Sequence, residues 1–449
     1  MKTRTFLLPL AALCFSACHH TTSDSAQSAP QERVVSYAQN GVTYEVNIRQ
    51  YTPEGTFEAF TKELPRLKKL GVDILWIMPV QPISEKNRKG SLGSYYSIRD
   101  YRAVNPEYGT MADFKAMVEE AHRLGFKVIL DWVANHTGWD NQLIESHPEW
   151  YTQKEGKIVA PVEDWADVAD LNYDNAEMRR YMIESLKFWV NETGLDGFRC
   201  DMAAMVPTDF WKDARLALDS IKPVYMLAEA WEPELSDKAF DAVYGWDLMH
   251  TMNAIAKGEK DASVLPEYFA KNDTLYQKHA YVMNFLTNHD ENSWAGTTEE
   301  RYDSLEQAFA VLTYTIPGIP MMYSGQEVGN DHRLAFFEKD SINWSDRKGL
   351  TAFYTSLNRL KKEHPALDGG EYGGRMQLIP TSAPQQIFAY ERSKGKDKVL
   401  VVLNLSRNTA SFTFNHPIAG DWKQTTDAQA AAIPADITLK GGGYRIYFQ

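Results

Sequence analysis

Cysteine is nearly absent from this 449-residue chain, which holds three in all. Cys14 and Cys18 fall in an apolar leader, so Cys200 stands alone and no internal disulfide framework is available. Cys200 then reads as a small buried hydrophobe rather than a nucleophile. Basic charge is also in deficit, with 47 Lys and Arg against 60 Asp and Glu and a formal charge of −13. That disfavours a nucleic-acid partner, which would want a basic face. No glycine-rich phosphate fingerprint follows the first strand-like run, which argues against a doubly wound open sheet. Beyond the leader, no run is long and apolar enough to span a membrane.

The leader itself, "MKTRTFLLPLAALCFSAC", has a basic start, an apolar stretch and small residues before Cys18. It reads as a secretory signal. Phe15-Ser16-Ala17 before Cys18 resembles a bacterial lipobox, although Phe15 replaces the usual aliphatic residue. The resemblance implies an exported lipoprotein, lipid-anchored at Cys18 after cleavage, on the periplasmic or the outer-membrane and cell-surface side. The expected organisation is a signal over 1–18, a tether over 19–40, a catalytic barrel over 41–365 and a C-terminal β domain over 366–449. Membrane contact would then run through the anchor only.

From about residue 41 an amphipathic run, a glycine and a short apolar run recur. "FEAFTKELPRLKKLG" precedes "VDILWIMPV", "MADFKAMVEEAHRLG" precedes "FKVILDWVA", and "AEMRRYMIESLKFWVNETG" precedes "LDGFRCDMA". The glycines suit helix C-caps, and runs such as Val128-Ile129-Leu130 suit strands buried on both faces. With "YEVNI", "VYMLAEA", "DAVYG", "YVMNFLTNHD" and "GIPMMYSGQE", eight strands fit within about 285 residues, the size of a (β/α)₈ barrel. An excursion over 137–172 follows the third strand. After about residue 366 alternating runs such as "VLVVLNLS" and "YRIYF" predict an antiparallel β-sandwich.

In such a barrel the site lies at the C-terminal ends of the strands. There the sequence places Asp131, Asn135 and His136; Arg199 and Asp201; Glu229; and Asn288, His289 and Asp290. Any one alone reads as a loop cap or a satisfied core group, but together they form a site. A carboxylate pair without cysteine or a metal-binding histidine pair suits glycoside cleavage. One carboxylate must be ionised to attack the anomeric carbon, and the other must carry a proton for the leaving oxygen. Arg199 beside Asp201 would lower its pKa, making Asp201 the nucleophile and Glu229 the acid/base.

The ordered set "DWVANH", "GFRCD", "LAEAW" and "TNHD" resembles the α-amylase family, glycoside hydrolase family 13, from about residue 41 to the end. The resemblance implies a retaining hydrolase cleaving α-glucosidic bonds, chiefly α-1,4, in starch-derived glucans or maltooligosaccharides. It implies Asp201 as nucleophile, Glu229 as acid/base and Asp290 as a third carboxylate clamping the distorted sugar. It places His136, Arg199 and His289 against that sugar and Tyr96 beneath it. "DLN", Asp170 to Asn172, resembles a further motif. The chain departs from the family at Ala204-Met205, where many members carry Lys-His. Asn135 and Asp170 match calcium positions, but two oxygens are too few for an ion that wants six to eight. The chemistry itself requires no cofactor. Trp139, Trp150, Trp165 and Trp231 could stack on glucose or simply pack. The alternatives are a transglycosylase, an α-1,6- or disaccharide-active relative, and a non-catalytic sugar-binding relative on the same barrel.

Overall fold

The computed structural model describes residues 35–449 except 277 and 426, and for 427–430 the backbone alone. Cys18 and the expected leader lie outside the described residues. Eight strands close a barrel in chain order: β1 (Thr43–Val46), β2 (Ile74–Ile77), β3 (Lys127–Val133), β4 (Gly197–Asp201), β5 (Tyr225–Ala228), β6 (Ala242–Tyr244), β7 (Tyr281–Phe285) and β8 (Ile319–Tyr323). Every pairing is parallel, and β8 returns to β1. Parallel strands need crossovers. These carry the helices α1 (Leu64–Leu70), α2 (Met111–Arg123), α3 (Ala176–Thr193), α4 (Thr208–Asp219), α5 (Trp246–Ala256) and α6 (Glu306–Thr315), with α7 (Leu350–Glu363) after β8. The link from β5 to β6 has only a short turn, Pro233–Ser236.

Local chemistry sets these elements. A capping box between Thr110 and Asp113 starts α2, and the Asn175 side chain accepts from Glu177 N and Met178 N to start α3. Gly71 and Gly194 end α1 and α3 in the left-handed conformation that glycine adopts without steric cost. Each helix buries one apolar face, with Phe114 and Val118 of α2 and Met182 and Trp189 of α3 fully enclosed. The excursion pairs His136–Gly138 with Val168–Asp170, which tethers both of its ends beside β3.

The fold begins earlier than the sequence suggests. Residues 35–40 are not tether: Val35 and Ala38 are buried, and Tyr37 donates to the Asp196 carbonyl at 3.2 Å.

The C-terminal region holds β9 (Arg375–Leu378), β10 (Ile387–Lys394), β11 (Asp397–Asn404), β12 (Ala410–Thr413), β13 (Asp421–Gln424), β14 (Asp427–Ala432), β15 (Asp436–Leu439) and β16 (Tyr444–Phe448). Six form an antiparallel sheet in the order β9-β10-β11-β16-β13-β14, and β12 pairs with β15. Alternation splits the central strands between two cores. Phe388, Tyr390, Val399, Val401 and Leu403 join the barrel core, whereas Ile387, Ala389, Leu400 and Val402 pack with Phe412, Trp422 and Ile437.

Two buried cations line the seam. Arg392 donates to the carbonyls of Ile316 at 3.0 Å, Asp368 at 2.8 Å and Gly374 at 2.9 Å. Lys361 donates to the Gly318 carbonyl at 2.8 Å and also to that of Leu367. Burial pushes Lys361 well below its ordinary pKa and brings Arg392 down to about 10.

Candidate active site

All five residues of β4 are buried, so the charges of "FRCD" sit inside the barrel. Residues two apart share a face, which aims Arg199 and Asp201 the same way. Cys200 between them is a buried free thiol, fully enclosed. In the β3–β4 register Asp131 stands opposite Arg199.

Arg199 serves three carboxylates. One terminal nitrogen, Nη1, lies 2.8 Å from Asp131 and 3.2 Å from Asp201. The other, Nη2, lies 2.9 Å from Glu229, and Nε donates to Tyr244 Oη at 3.0 Å. The guanidinium also stacks over Trp76, 4.8 Å from the ring centre. This corrects the expectation that Arg199 singles out Asp201. Burial pushes Asp201 well above the usual carboxylate range, Glu229 adds to the rise, and Arg199 offsets only part. Burial raises Glu229 too, with Arg199 opposing. Coupled carboxyls of this kind titrate as a pair.

Met202, just past β4, adopts φ 43° and ψ 44°, a left-handed conformation rare for a side-chain-bearing residue. It turns its N–H onto Glu229 Oε2 at 2.9 Å. Strained backbone of this sort gathers at functional sites.

Tyr96, His289 and Asp290 join this cluster. Asn288, His289 and Asp290 lie on the turn beyond β7, not on the strand itself. Tyr96 Oη donates to Asp131 at 3.0 Å and meets His289 Nε2 at 2.8 Å, its ring stacked on the imidazole at 5.3 Å. Asp290 Oδ2 lies 3.4 Å from His289 Nε2, and its side chain is 40% exposed, against 9% for Asp201 and for Glu229. His136 is buried and held down to about 4, so it is neutral at pH 7.

Of the four tryptophans, Trp150 is buried and stacked on His147, and Trp139 bonds the Ala166 carbonyl. Trp165 meets His136 edge-on at 5.7 Å. Trp231, two residues past Glu229, is 46% exposed.

Glu45, Trp76 and Tyr244 also line the cluster and were not among the expected residues. Glu45 is fully buried on β1, and a charged side chain inside a run as apolar as "TYEVNI" was the signal.

Asn135 and Asp170, the two candidate calcium positions, lie together where His136 pairs with Asp170 at the foot of the excursion. The Asn135 amide faces His136 Nδ1 at 3.3 Å, and burial raises the Asp170 carboxyl with only Thr152 and Lys154 opposing. Ala204 and Met205 add no side-chain oxygen. Among the described residues no group of three or more His, Cys, Asp or Glu is placed to share a metal ion.

Comparison with known proteins agrees with this architecture. The family model "Alpha amylase, catalytic domain" matches residues 21–166 and 161–366. Alpha-amylase MalA of Haloarcula japonica is 28% identical over 90% of this chain, which spans 61% of MalA's own length. A cyclomaltodextrinase of Bacillus sp. is 27% identical over 78% of this chain and 65% of its own. The crystal structure of a noncanonic maltogenic alpha-amylase AmyB from Thermotoga neapolitana superposes with a TM-score of 0.83 at 29% identity, covering 92% of this chain and 99% of that one. With the barrel, the strand-end carboxylates and the family match in agreement, the chain belongs to the alpha-amylase family of glycoside hydrolases.

Proposed function

We propose that this protein cleaves α-glucosidic bonds, α-1,4 above all, in starch-derived glucans or maltooligosaccharides with retention of configuration. The observation that carries the reading is the single guanidinium of Arg199 spanning Asp201 and Glu229 at neighbouring strand ends. Asp201 Oδ attacks the anomeric carbon as Glu229 gives its proton to the departing glycosidic oxygen. Glu229 then takes a proton from water, whose oxygen attacks the glycosyl-enzyme ester and frees Asp201. Asp290, His136, His289 and Arg199 hold the sugar in the cleaved position, with Tyr96 beneath it.

Burial raises Asp201 and Glu229 alike, so it is geometry that has to assign the proton between them. Two features place it on Glu229. Arg199 Nη1 makes a directed hydrogen bond to Asp201, whereas its contact with Glu229 is charge proximity alone. A glycosidic oxygen presented to Glu229 then draws the shared proton there.

Relatives named as maltogenic alpha-amylase and cyclomaltodextrinase make maltoheptaose and a cyclic maltodextrin the first substrates to try. A second reading, sugar-to-sugar transfer, rests on the exposed Trp231 face beside Glu229, which could seat an acceptor. The test is incubation with maltoheptaose, a cyclic maltodextrin, pullulan, isomaltose and trehalose, followed by product analysis with anomeric NMR. The expected first product is the α-anomer, and products longer than the substrate would mark transfer. Asp201→Asn should lower kcat by about 10⁴-fold or more while sugar binding persists. Inverted products, or turnover surviving in Asp201→Asn, would defeat the assignment.

A further inference from the structure

His289 is held on both ring nitrogens. Nδ1 lies 2.5 Å from Glu45 Oε1, and Nε2 lies 2.8 Å from Tyr96 Oη and 3.4 Å from Asp290 Oδ2. Hydrogen counting constrains their protons. Tyr96 Oη sits 3.0 Å from Asp131 Oδ2, an oxygen–oxygen contact that needs a proton between the two atoms. Asp131, paired with Arg199 at 2.8 Å, is the ionised acceptor and takes the phenol's one proton, so Tyr96 meets Nε2 as an acceptor and Nε2 carries hydrogen. Nδ1 against a carboxylate oxygen at 2.5 Å requires a second proton. The ring therefore carries one hydrogen on Nε2 and shares another with Glu45.

From this geometry we infer that Glu45 is a positioning residue which fixes His289 as an imidazolium, so that Nε2–H is presented between Tyr96 and Asp290. This goes beyond the proposed glucan cleavage and rests on it for its effect on turnover. Glu45 reaches the ring from β1, at the nitrogen away from Tyr96 and Asp290. Its other oxygen, Oε2, has no hydrogen-bond partner in the structure. The ring cannot swing away, because Tyr96 stacks on one side and Trp76 meets it edge-on at 6.1 Å.

The other ionisable neighbours set the balance. Asp131 on β3, Arg199 on β4, Glu229 on β5, Tyr244 on β6, Asp290 on the same turn and Tyr323 on β8 interact with this pair or its members. Burial opposes charge on His289, but Asp290 and Glu45 outweigh it and hold the ring up to about 9. The charged ring in turn favours ionised Asp131 and Glu229.

The test has two arms on the whole protein. In the first, ¹⁵N-histidine NMR follows His289 from pH 5 to 10 in wild type and in Glu45→Gln. The expected result is a doubly protonated ring to about pH 9 in wild type, and titration near the ordinary ~6.5 in the variant. In the second, kcat/KM on maltoheptaose is measured across the same range. Glu45→Gln should lose about 30-fold more at pH 8 than at pH 5.5, as the alkaline limb moves down by about 2.5 units. Glu45→Asp, which keeps the carboxylate, should leave the limb nearer its original position and serves if Glu45→Gln folds poorly. Titration of wild-type His289 below pH 7 would overturn the proposal, and so would an alkaline limb unmoved in Glu45→Gln. Absence of any turnover would defeat the proposed function, while the NMR arm still judges the pairing.

Discussion

At the scale of single residues, the site is an imbalance of charge managed by two cations. Asp131, Asp201, Glu229, Glu45 and Asp290 crowd around Arg199 and His289. Removing the shared cation should be costly, because buried carboxylates then stand unpaired. Arg199→Met is expected to lose about 3–5 kcal/mol in chemical denaturation and essentially all activity. Asp201→Asn should move stability the other way. Asp201 titrates above its unfolded value, so its favourable contribution is present below about pH 4 and is lost as the pH rises. The amide carries no charge to desolvate, so it should raise Tm at neutral and alkaline pH as it ends turnover. A lowered Tm would show that Arg199 compensates Asp201 fully. These residues were legible because chemistry at strand ends follows from the barrel. The sharing of Arg199 was not, since it depends on Asp131 facing it across β3 and β4, a register that no single run of sequence displays. Glu45 escaped because the rim was read from four strands out of eight.

At the scale of elements, the carboxylate pair depends on how closely β4 and β5 approach. Gly197 opens β4, and a Cβ built there would lie 1.8 Å from the Tyr225 carbonyl oxygen of β5. No L side chain fits without prising the strands apart. Gly197→Ala should therefore cost about 1–3 kcal/mol or more and reduce kcat/KM further than that loss of fold explains. Gly156, with nothing within 4 Å of its built Cβ, supplies the comparison. Its alanine variant should cost about 1 kcal/mol and spare activity. Equal kinetic damage in both variants would reject the argument. The eight strands were legible as apolar runs because parallel strands bury both faces. The packed turn over 35–40 was not. Its composition, "SYAQN", is that of a loop, and only tertiary contact through Val35, Tyr37 and Ala38 fixes it.

At the scale of the molecule, barrel and C-terminal sheet share a wall. The inner faces of β10 and β11 complete the barrel core, and Arg392 and Lys361 fill the seam by donating to carbonyls from both sides. Calorimetry should show one unfolding transition for the whole of this region. A chain ending at residue 365 should expose hydrophobic surface and bind ANS instead of refolding as a barrel. Two separate transitions, or an active truncated barrel, would contradict this. The sequence showed a β domain after about residue 366, but not that its strands serve two cores at once. That fact emerges only when alternate residues such as Val401 and Val402 are found in different clusters.

The shared wall has a consequence for recombination. A crossover near residue 366 looks like a clean exchange point in the linear sequence, yet it would separate two halves of one interlocking surface. A C-terminal sheet grafted from a relative brings its own inward-facing set to a barrel shaped for Phe388, Tyr390, Val399, Val401 and Leu403. Chimeras of this protein should tolerate exchanges that move those alternate positions together with α6 and α7, and fail where the cut runs between them.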